Sequence, residues 1–378
     1  MYSVHQPWDP LRVCVVGRSY PPEFYAWIKV PHVRSLFERI AQETEEDFQN
    51  IIAKLQSFGV KVLRPDVFDA GTDQHDKFLI PPMTPRDTMI MIGDTFYKNF
   101  SSSLPTSYQN VRDSNWPDCA SWAQFDQLPT VIKRECSQNF GFDQLRRMDH
   151  MQIQYQSIID DIQQQGNTIK HSHDFINGAK LSRIGRDLYF GTDDYSADQS
   201  QIKQLVDQEF PDYRTHIVNT GGHSDGTYCP VRPGLIVSLR DIPTYADTYP
   251  GWEVIYLQNQ SWDSVKPFLD LKQKNQGRWW IPGFEYDTDV INVVETWLGQ
   301  WLGYVEETVF DVNMLVIDPK NVMVFNYNKT VFDAFERHGI TPHVVPFRHR
   351  YFWDGGIHCV TLDLDRQGHQ DDLFPDRQ

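Results

Sequence analysis

Nowhere in the 378 residues does an apolar run approach the roughly 18 positions that a membrane helix needs. Positive charge is also scarce: 35 Lys and Arg stand against 51 Asp and Glu, a formal charge of −16. A phosphate backbone or an anionic membrane is repelled by such a chain on average, so neither a nucleic-acid nor a membrane partner is expected. Cysteine is sparse. Cys14, Cys119, Cys136, Cys229 and Cys359 are odd in number and lack CxxC spacing, which argues against both a disulfide framework and a zinc site. The opening MYSVHQPWDPLRVCVV has no basic segment followed by an apolar one, so no secretory signal is read and the cytoplasm is the expected location. Low-complexity tracts and obvious linkers are missing too, which favours one closed unit over 1–378 rather than two hinged domains.

What is present is a soluble globular composition, 40% hydrophobic and 13% aromatic, ordered in an alternating pattern. An extended Leu11 to Gly17 precedes Arg34 to Phe58, where Phe37, Ile40, Phe48, Ile51, Ile52 and Leu55 recur at helical spacing before Gly59 and a strand Val60 to Leu63. The rhythm continues with strands at Thr88 to Ile92, Asp187 to Phe190, His216 to Asn219, Leu235 to Ser238, Met314 to Ile317, Val322 to Phe325 and His343 to Val345. Helices are expected at Met148 to Gln165, Ala197 to Phe210, Val290 to Leu302 and Lys329 to His338. The segment Asn99 to Leu128 is the least periodic and richest in turn formers, and reads as an insertion that covers a cleft or merely loops over the surface. The polar tail over 366–378 is expected to fray. No internal repeat is visible as sequence similarity.

Three segments carry side chains suited to chemistry. Gly355-Gly356-Ile357-His358-Cys359-Val360-Thr361-Leu362 sets a thiol between a glycine pair and a strand-like run, a place suited to a nucleophile although a small core residue fits there as well. Gly221-Gly222-His223-Ser224-Asp225-Gly226 puts a histidine two residues before an aspartate; in an extended stretch both point to one face, whereas an Asp beside Gly also marks a plain turn. Pro85-Arg86-Asp87 precedes an apolar strand, and its acid matters only if the fold brings it to the others.

With these residues in order, the chain resembles the arginine:glycine and inosamine-phosphate amidinotransferases of the guanidino-group-modifying superfamily. Trp8-Asp9-Pro10-Leu11, Pro85-Arg86-Asp87, Arg183-Ile184-Gly185-Arg186-Asp187, His223-Ser224-Asp225 with Arg232-Pro233-Gly234, Asn313-Met314-Leu315 and Gly355 to Leu362 look like its successive signatures, over residues 8 to 368. The resemblance implies an α/β fold, a five-bladed propeller of pentein type with strand-helix repeats around a central active-site pocket. It also implies an enzyme that needs neither metal nor organic cofactor. Cys359 matches the nucleophile, His223 the general acid and base, and Asp87 and Asp225 the carboxylates for a guanidinium, a planar cation that carboxylates bind through paired donors. Asn313 falls at a substrate-binding position. The implied reaction moves the amidino group of L-arginine to a small primary amine through an amidino-cysteine. Members of the family are often homodimers.

The chain departs from the family at Asn177-Gly178-Ala179-Lys180. Asn177 stands where an acid orients the catalytic histidine, and Lys180 where an Asp or Asn is expected. An Asn fixes an imidazole's tautomer without stabilising its charged form, so altered or weaker chemistry is expected, and Lys180 is a candidate partner for a substrate carboxylate. Glu306 and Glu307 fall near the family's substrate-binding stretch or on an exposed loop. The alternatives are a guanidino hydrolase of the arginine deiminase or dihydrolase type, with water in place of the amine, and a catalytically degenerate guanidino-binding protein. A papain-like protease is disfavoured, because the Cys359 context lacks that family's local signature.

Overall fold

The short apolar runs of this chain are too brief for stable pairs on their own, so they assemble in threes. The computed structural model describes residues 1–68, 78–100, 141–172, 176–192, 199–239, 245–257, 265–299 and 312–377 except 354, with 242, 301, 302 and 305 besides. The chain begins with β1 (Leu11–Val16), α1 (Pro31–Ser57) and β2 (Lys61–Leu63), then β3 (Met89–Ile92), β4 (Thr95–Lys98), α2 (Gly141–Gln164) and β5 (Thr168–His171). Next come β6 (Leu181–Ile184), β7 (Asp187–Thr192), α3 (Gln199–Glu209), β8 (Arg214–Asn219), β9 (Tyr228–Arg232), β10 (Leu235–Ser238), α4 (Tyr245–Thr248) and β11 (Glu253–Tyr256). After α5 (Lys266–Asn275) and α6 (Thr288–Trp297), the last part holds β12 (Leu315–Asp318), β13 (Asn321–Val324), α7 (Lys329–Arg337), β14 (Thr341–Val344), α8 (Arg350–Trp353) and β15 (Thr361–Arg366).

The strands form five sheets of three, β15-β1-β2, β3-β4-β5, β6-β7-β8, β9-β10-β11 and β12-β13-β14. Each has the same plan: an antiparallel hairpin, a helix, and a third strand parallel to the second. Parallel pairing demands a crossover, and the helix supplies it. The repeat that no residue-by-residue similarity shows is therefore plain as topology. The first module is assembled from both ends of the chain, β15 lying antiparallel to β1 from Leu11↔Arg366 to Val16↔Thr361. This is the five-bladed α/β propeller that the sequence resemblance implied.

Helix α1 follows its apolar spacing: Phe37, Ile40, Phe48, Ile51 and Leu55 are buried, and Gly59 past its end has φ +78°. The inner strands β3 and β7 are buried at every position, which explains their continuous apolar runs. One carboxylate ties three modules together. Asp363 on β15, buried, bonds Arg86 (3.0 Å), Arg183 (2.8 Å) and Arg366 (2.7 Å), and these guanidinium groups hold it well below the usual carboxylate range against the effect of burial.

The tail departs from expectation. Phe374 is buried and stacks on Trp252 with centroids 5.7 Å apart, while Arg377 donates to Tyr189 Oη at 2.9 Å and pairs with Asp187 at 3.3 Å. A polar sequence docks here because its cation meets a buried carboxylate and its one large ring finds an aromatic shelf. Of the expected insertion over 99–128, only its first two residues lie among the described ones, and Glu306 and Glu307 lie outside them. Among the described residues no helix is long and apolar enough to cross a membrane.

Candidate active site

Every module enters its hairpin through a turn, and the five turns are bonded to one another in a closed ring. Gly178 N–H donates to Arg86 O (2.9 Å), and Asp225 N–H to Ala179 O (3.2 Å). Asn313 Nδ2 donates to Asp225 O (3.3 Å), His358 N–H to Asn313 Oδ1 (2.8 Å), and Arg86 Nε to His358 O (2.8 Å). One link joins each adjacent pair of modules. The residues singled out from the sequence fall on these turns: Asp87 on the one before β3, Asn177 and Lys180 before β6, Asp225 before β9, Asn313 before β12 and Cys359 before β15.

Close approach makes the ring. A Cβ on Gly178 would lie 2.4 Å from Arg86 Cγ, and one on Gly356 would lie 2.5 Å from both Cβ and Oδ1 of Asn313. Only glycine admits the neighbouring turn at these two points.

Cys359 is buried, and its Sγ accepts a hydrogen bond from Asn313 Nδ2 at 3.0 Å and lies 3.4 Å from Asp225 Oδ2, to which the thiol donates. Asn313 Oδ1 meanwhile accepts from the backbone amides of both His358 (2.8 Å) and Cys359 (3.1 Å). All the hydrogen-bonding capacity of this amide is spent on the nucleophile turn and on Asp225. Asn313, expected as a substrate contact, braces the thiol and the turn that carries it.

Burial of Asp225 raises its carboxyl, but hydrogen bonding to His358 and the charges of His223 and Arg86 outweigh that and lower it. It is therefore a carboxylate at neutral pH. His358 Nδ1 lies 2.9 Å from its Oδ2, whereas Oδ1 is buried with no hydrogen-bond partner among the described residues. Burial and then the Arg86 charge push His358 down to about 4, so the imidazole is neutral and its one proton sits on Nδ1, facing the carboxylate.

The expected reason for pairing His223 with Asp225 fails in detail. Ser224–Gly226 is a turn of 3-10 helix with His223 as its extended N-cap, not one continuous strand. The turn is closed by Thr227 N–H, which donates to Ser224 O at 2.9 Å. Proximity nonetheless survives, since His223 acts electrostatically on Asp225. Asp87 likewise closes a 3-10 turn, Pro85–Asp87, whose Arg86 is fastened to the nucleophile turn. Asn177 Oδ1 accepts from the amides of Ala179 (3.1 Å) and Lys180 (3.0 Å), so its oxygen caps its own turn. Lys180 contributes its carbonyl to Gly191 N–H (2.7 Å) and Ser224 Oγ (2.9 Å), and its side chain is half-buried.

Two residues of this site escaped the sequence reading, Arg86 and His358. Each sits inside a segment already singled out, next to the residue that drew notice.

No family model matches the chain. The putative inosamine-phosphate amidinotransferase 2 of Streptomyces griseus is 23% identical over 97% of this chain and 97% of its own length. Mitochondrial glycine amidinotransferase of Xenopus tropicalis is 22% identical over 96% of this chain and 82% of its own. Among solved structures, SxtG, an amidinotransferase of Microseira wollei in the saxitoxin biosynthetic pathway, matches 99% of both chains with a TM-score of 0.61 at 16% identity. Along nearly its whole length, then, this chain is similar to the amidinotransferases, and it shares their five-bladed pentein fold.

Proposed function

We propose that the protein is an amidinotransferase that takes the amidino group of arginine onto Cys359 and passes it to a small primary amine. The observation that carries this reading is the pairing of a braced thiol with a buried carboxylate: Cys359 Sγ is 3.4 Å from Asp225 Oδ2, and Asp225 Oδ1 has no hydrogen-bond partner among the described residues. A buried carboxylate edge beside a thiol suits a planar cation whose central carbon is the electrophile.

In the free protein a thiolate beside the ionised Asp225 is opposed by like charge. A bound guanidinium neutralises that charge, the thiol gives its proton to His223, and Asn313 Nδ2 stabilises the sulfur as it ionises. The Sγ–C bond forms at the guanidinium carbon, the bond from that carbon to the δ-nitrogen breaks, and His223 hands on the proton with which ornithine leaves. An acceptor amine next attacks the amidino carbon and gives its proton to His223, the C–S bond breaks, and His223 returns that proton to the sulfur to restore the thiol. Asp87 serves as the second carboxylate of the guanidinium site. In this reading Lys180, on the neighbouring turn, pairs a substrate carboxylate. Asn177 helps set His223 without adding charge.

Intact mass after acid quench tests the reading. Incubation with arginine should leave an amidino adduct on the wild-type chain and none on Cys359→Ala, with ornithine released, and amines can then be screened for discharge. Citrulline in place of a stable adduct would point to the hydrolase. Absence of an adduct and of both products would overturn the proposal.

A further inference from the structure

His358 is assigned no role by the reading above, yet it makes the shortest side-chain contact to the Asp225 carboxylate. Its own backbone is clamped on both sides: N–H by Asn313 Oδ1 at 2.8 Å and C=O by Arg86 Nε at 2.8 Å. The backbone that carries the ring is thus fixed, and the ring itself is held by its bond to Asp225. A carboxylate's last torsion is broad and roughly two-fold, so an aspartate with one free edge can turn that edge away from a ligand. The bond from Nδ1 to Oδ2 removes this freedom.

We propose that His358 is a positioning residue whose Nδ1–H locks the Asp225 carboxylate by Oδ2, so that Oδ1 stays directed at a planar amidine-type cation. The locked edge discriminates. An amidinium or guanidinium presents donors in a plane that matches a fixed carboxylate, whereas a neutral amide gains little from it. A neutral imidazole does this without placing a second cation against the substrate, which a lysine or arginine at the same point would do. This inference rests on the guanidino-site reading above.

The test is the rate at which Cys359 is alkylated by 2-chloroacetamidine, divided by its rate with 2-chloroacetamide. The two reagents share a leaving group and differ in the planar cation. Wild type, His358→Asn and His358→Gln are compared, since an asparagine Nδ2 overlays the histidine Nδ1 and a glutamine amide overlays the other ring nitrogen. Wild type should favour the amidine, His358→Asn should keep that preference within about threefold, and His358→Gln should lose it by about tenfold or more with its chloroacetamide rate little changed. Because the ratio is taken within each variant, partial misfolding lowers both rates and leaves it intact. Rates that fall in parallel, an asparagine variant as poor as the glutamine one, or a glutamine variant that keeps the preference would each overturn the role of His358. A wild type that shows no preference for the amidine would overturn the guanidino-site reading itself.

Discussion

Two variants at Asn313 separate the two things that its amide does. Its Oδ1 accepts from the backbone amides of His358 and Cys359, and its Nδ2 donates to Cys359 Sγ at 3.0 Å and to Asp225 O at 3.3 Å. Asn313→Ala removes all four bonds and leaves buried amide donors without an acceptor. At about 1–3 kcal/mol for each buried group left unsatisfied, and with some relaxation, stability should fall by about 2–4 kcal/mol. Asn313→Asp keeps the acceptor for both amides but sets a carboxylate oxygen, in place of the donor, against Sγ and Asp225 O. Both variants nonetheless remove the donor to sulfur, and a hydrogen bond to a charged group is worth about 1.5–3 kcal/mol, so alkylation of Cys359 by neutral chloroacetamide at pH 7 should slow about ten- to a hundredfold in each. Urea unfolding and pseudo-first-order labelling measure the two effects separately. An alanine variant within about 0.5 kcal/mol of wild type would refute the bracing role, and an aspartate variant that labels at the wild-type rate would refute the role toward sulfur.

Elsewhere the expectations concern the scaffold. Asp363 is held well below its ordinary value of 3.8 by three guanidinium groups, so its contribution to stability is complete above that value and is lost as pH falls toward the folded one. Asp363→Asn should lower stability at pH 7 by about 3–5 kcal/mol, because it strands buried cations, and should flatten the decline between pH 4 and 2 followed by denaturant unfolding. In the tail, Phe374→Ala should destabilise the chain by about 3 kcal/mol in the same assay. Labelling of Cys359 should stay at the wild-type rate, since the aromatic shelf at Trp252 lies outside the ring of turns.

Legibility in the sequence followed the length of each signal. Helix α1 could be placed within a few residues because 27 positions repeat one apolar face, and Gly59 marks its end. Strand β4 was missed, since Thr95-Phe96-Tyr97-Lys98 is too short to show alternation and its buried Lys98 reads as a surface residue. The short strands β6 and β11 were missed for the same reason. Site segments were visible as glycine-flanked polar residues, but the bonds that make them a site join positions far apart, such as Arg86 with His358 and Asp225 with Asn313. No local pattern reports such pairings. That is why Arg86 and His358 went unnoticed while their neighbours Asp87 and Cys359 did not.

Asn177 shows how a change at a position that the family resemblance makes catalytic can leave the local turn intact. The family resemblance expects an acid there, and what the local structure asks of the residue is one oxygen that accepts from the amides of Ala179 and Lys180. Aspartate offers the same oxygen and forms the same turn, and it adds a negative charge. Asn177 is buried, but its oxygen already accepts from two amides, so Asn177→Asp should keep the turn and lower stability by no more than about 1 kcal/mol for the charge it adds. It should also favour the protonated form of His223, which the departing amine needs, and so raise the rate at which ornithine appears in single-turnover rapid quench at pH 7. A variant that unfolds more easily by over about 1 kcal/mol would mean that the amide nitrogen has a structural partner of its own. A stable variant with an unchanged or slower first half-reaction would mean that the imidazole draws its charge balance from Asp225 instead, and that the asparagine costs this chain nothing.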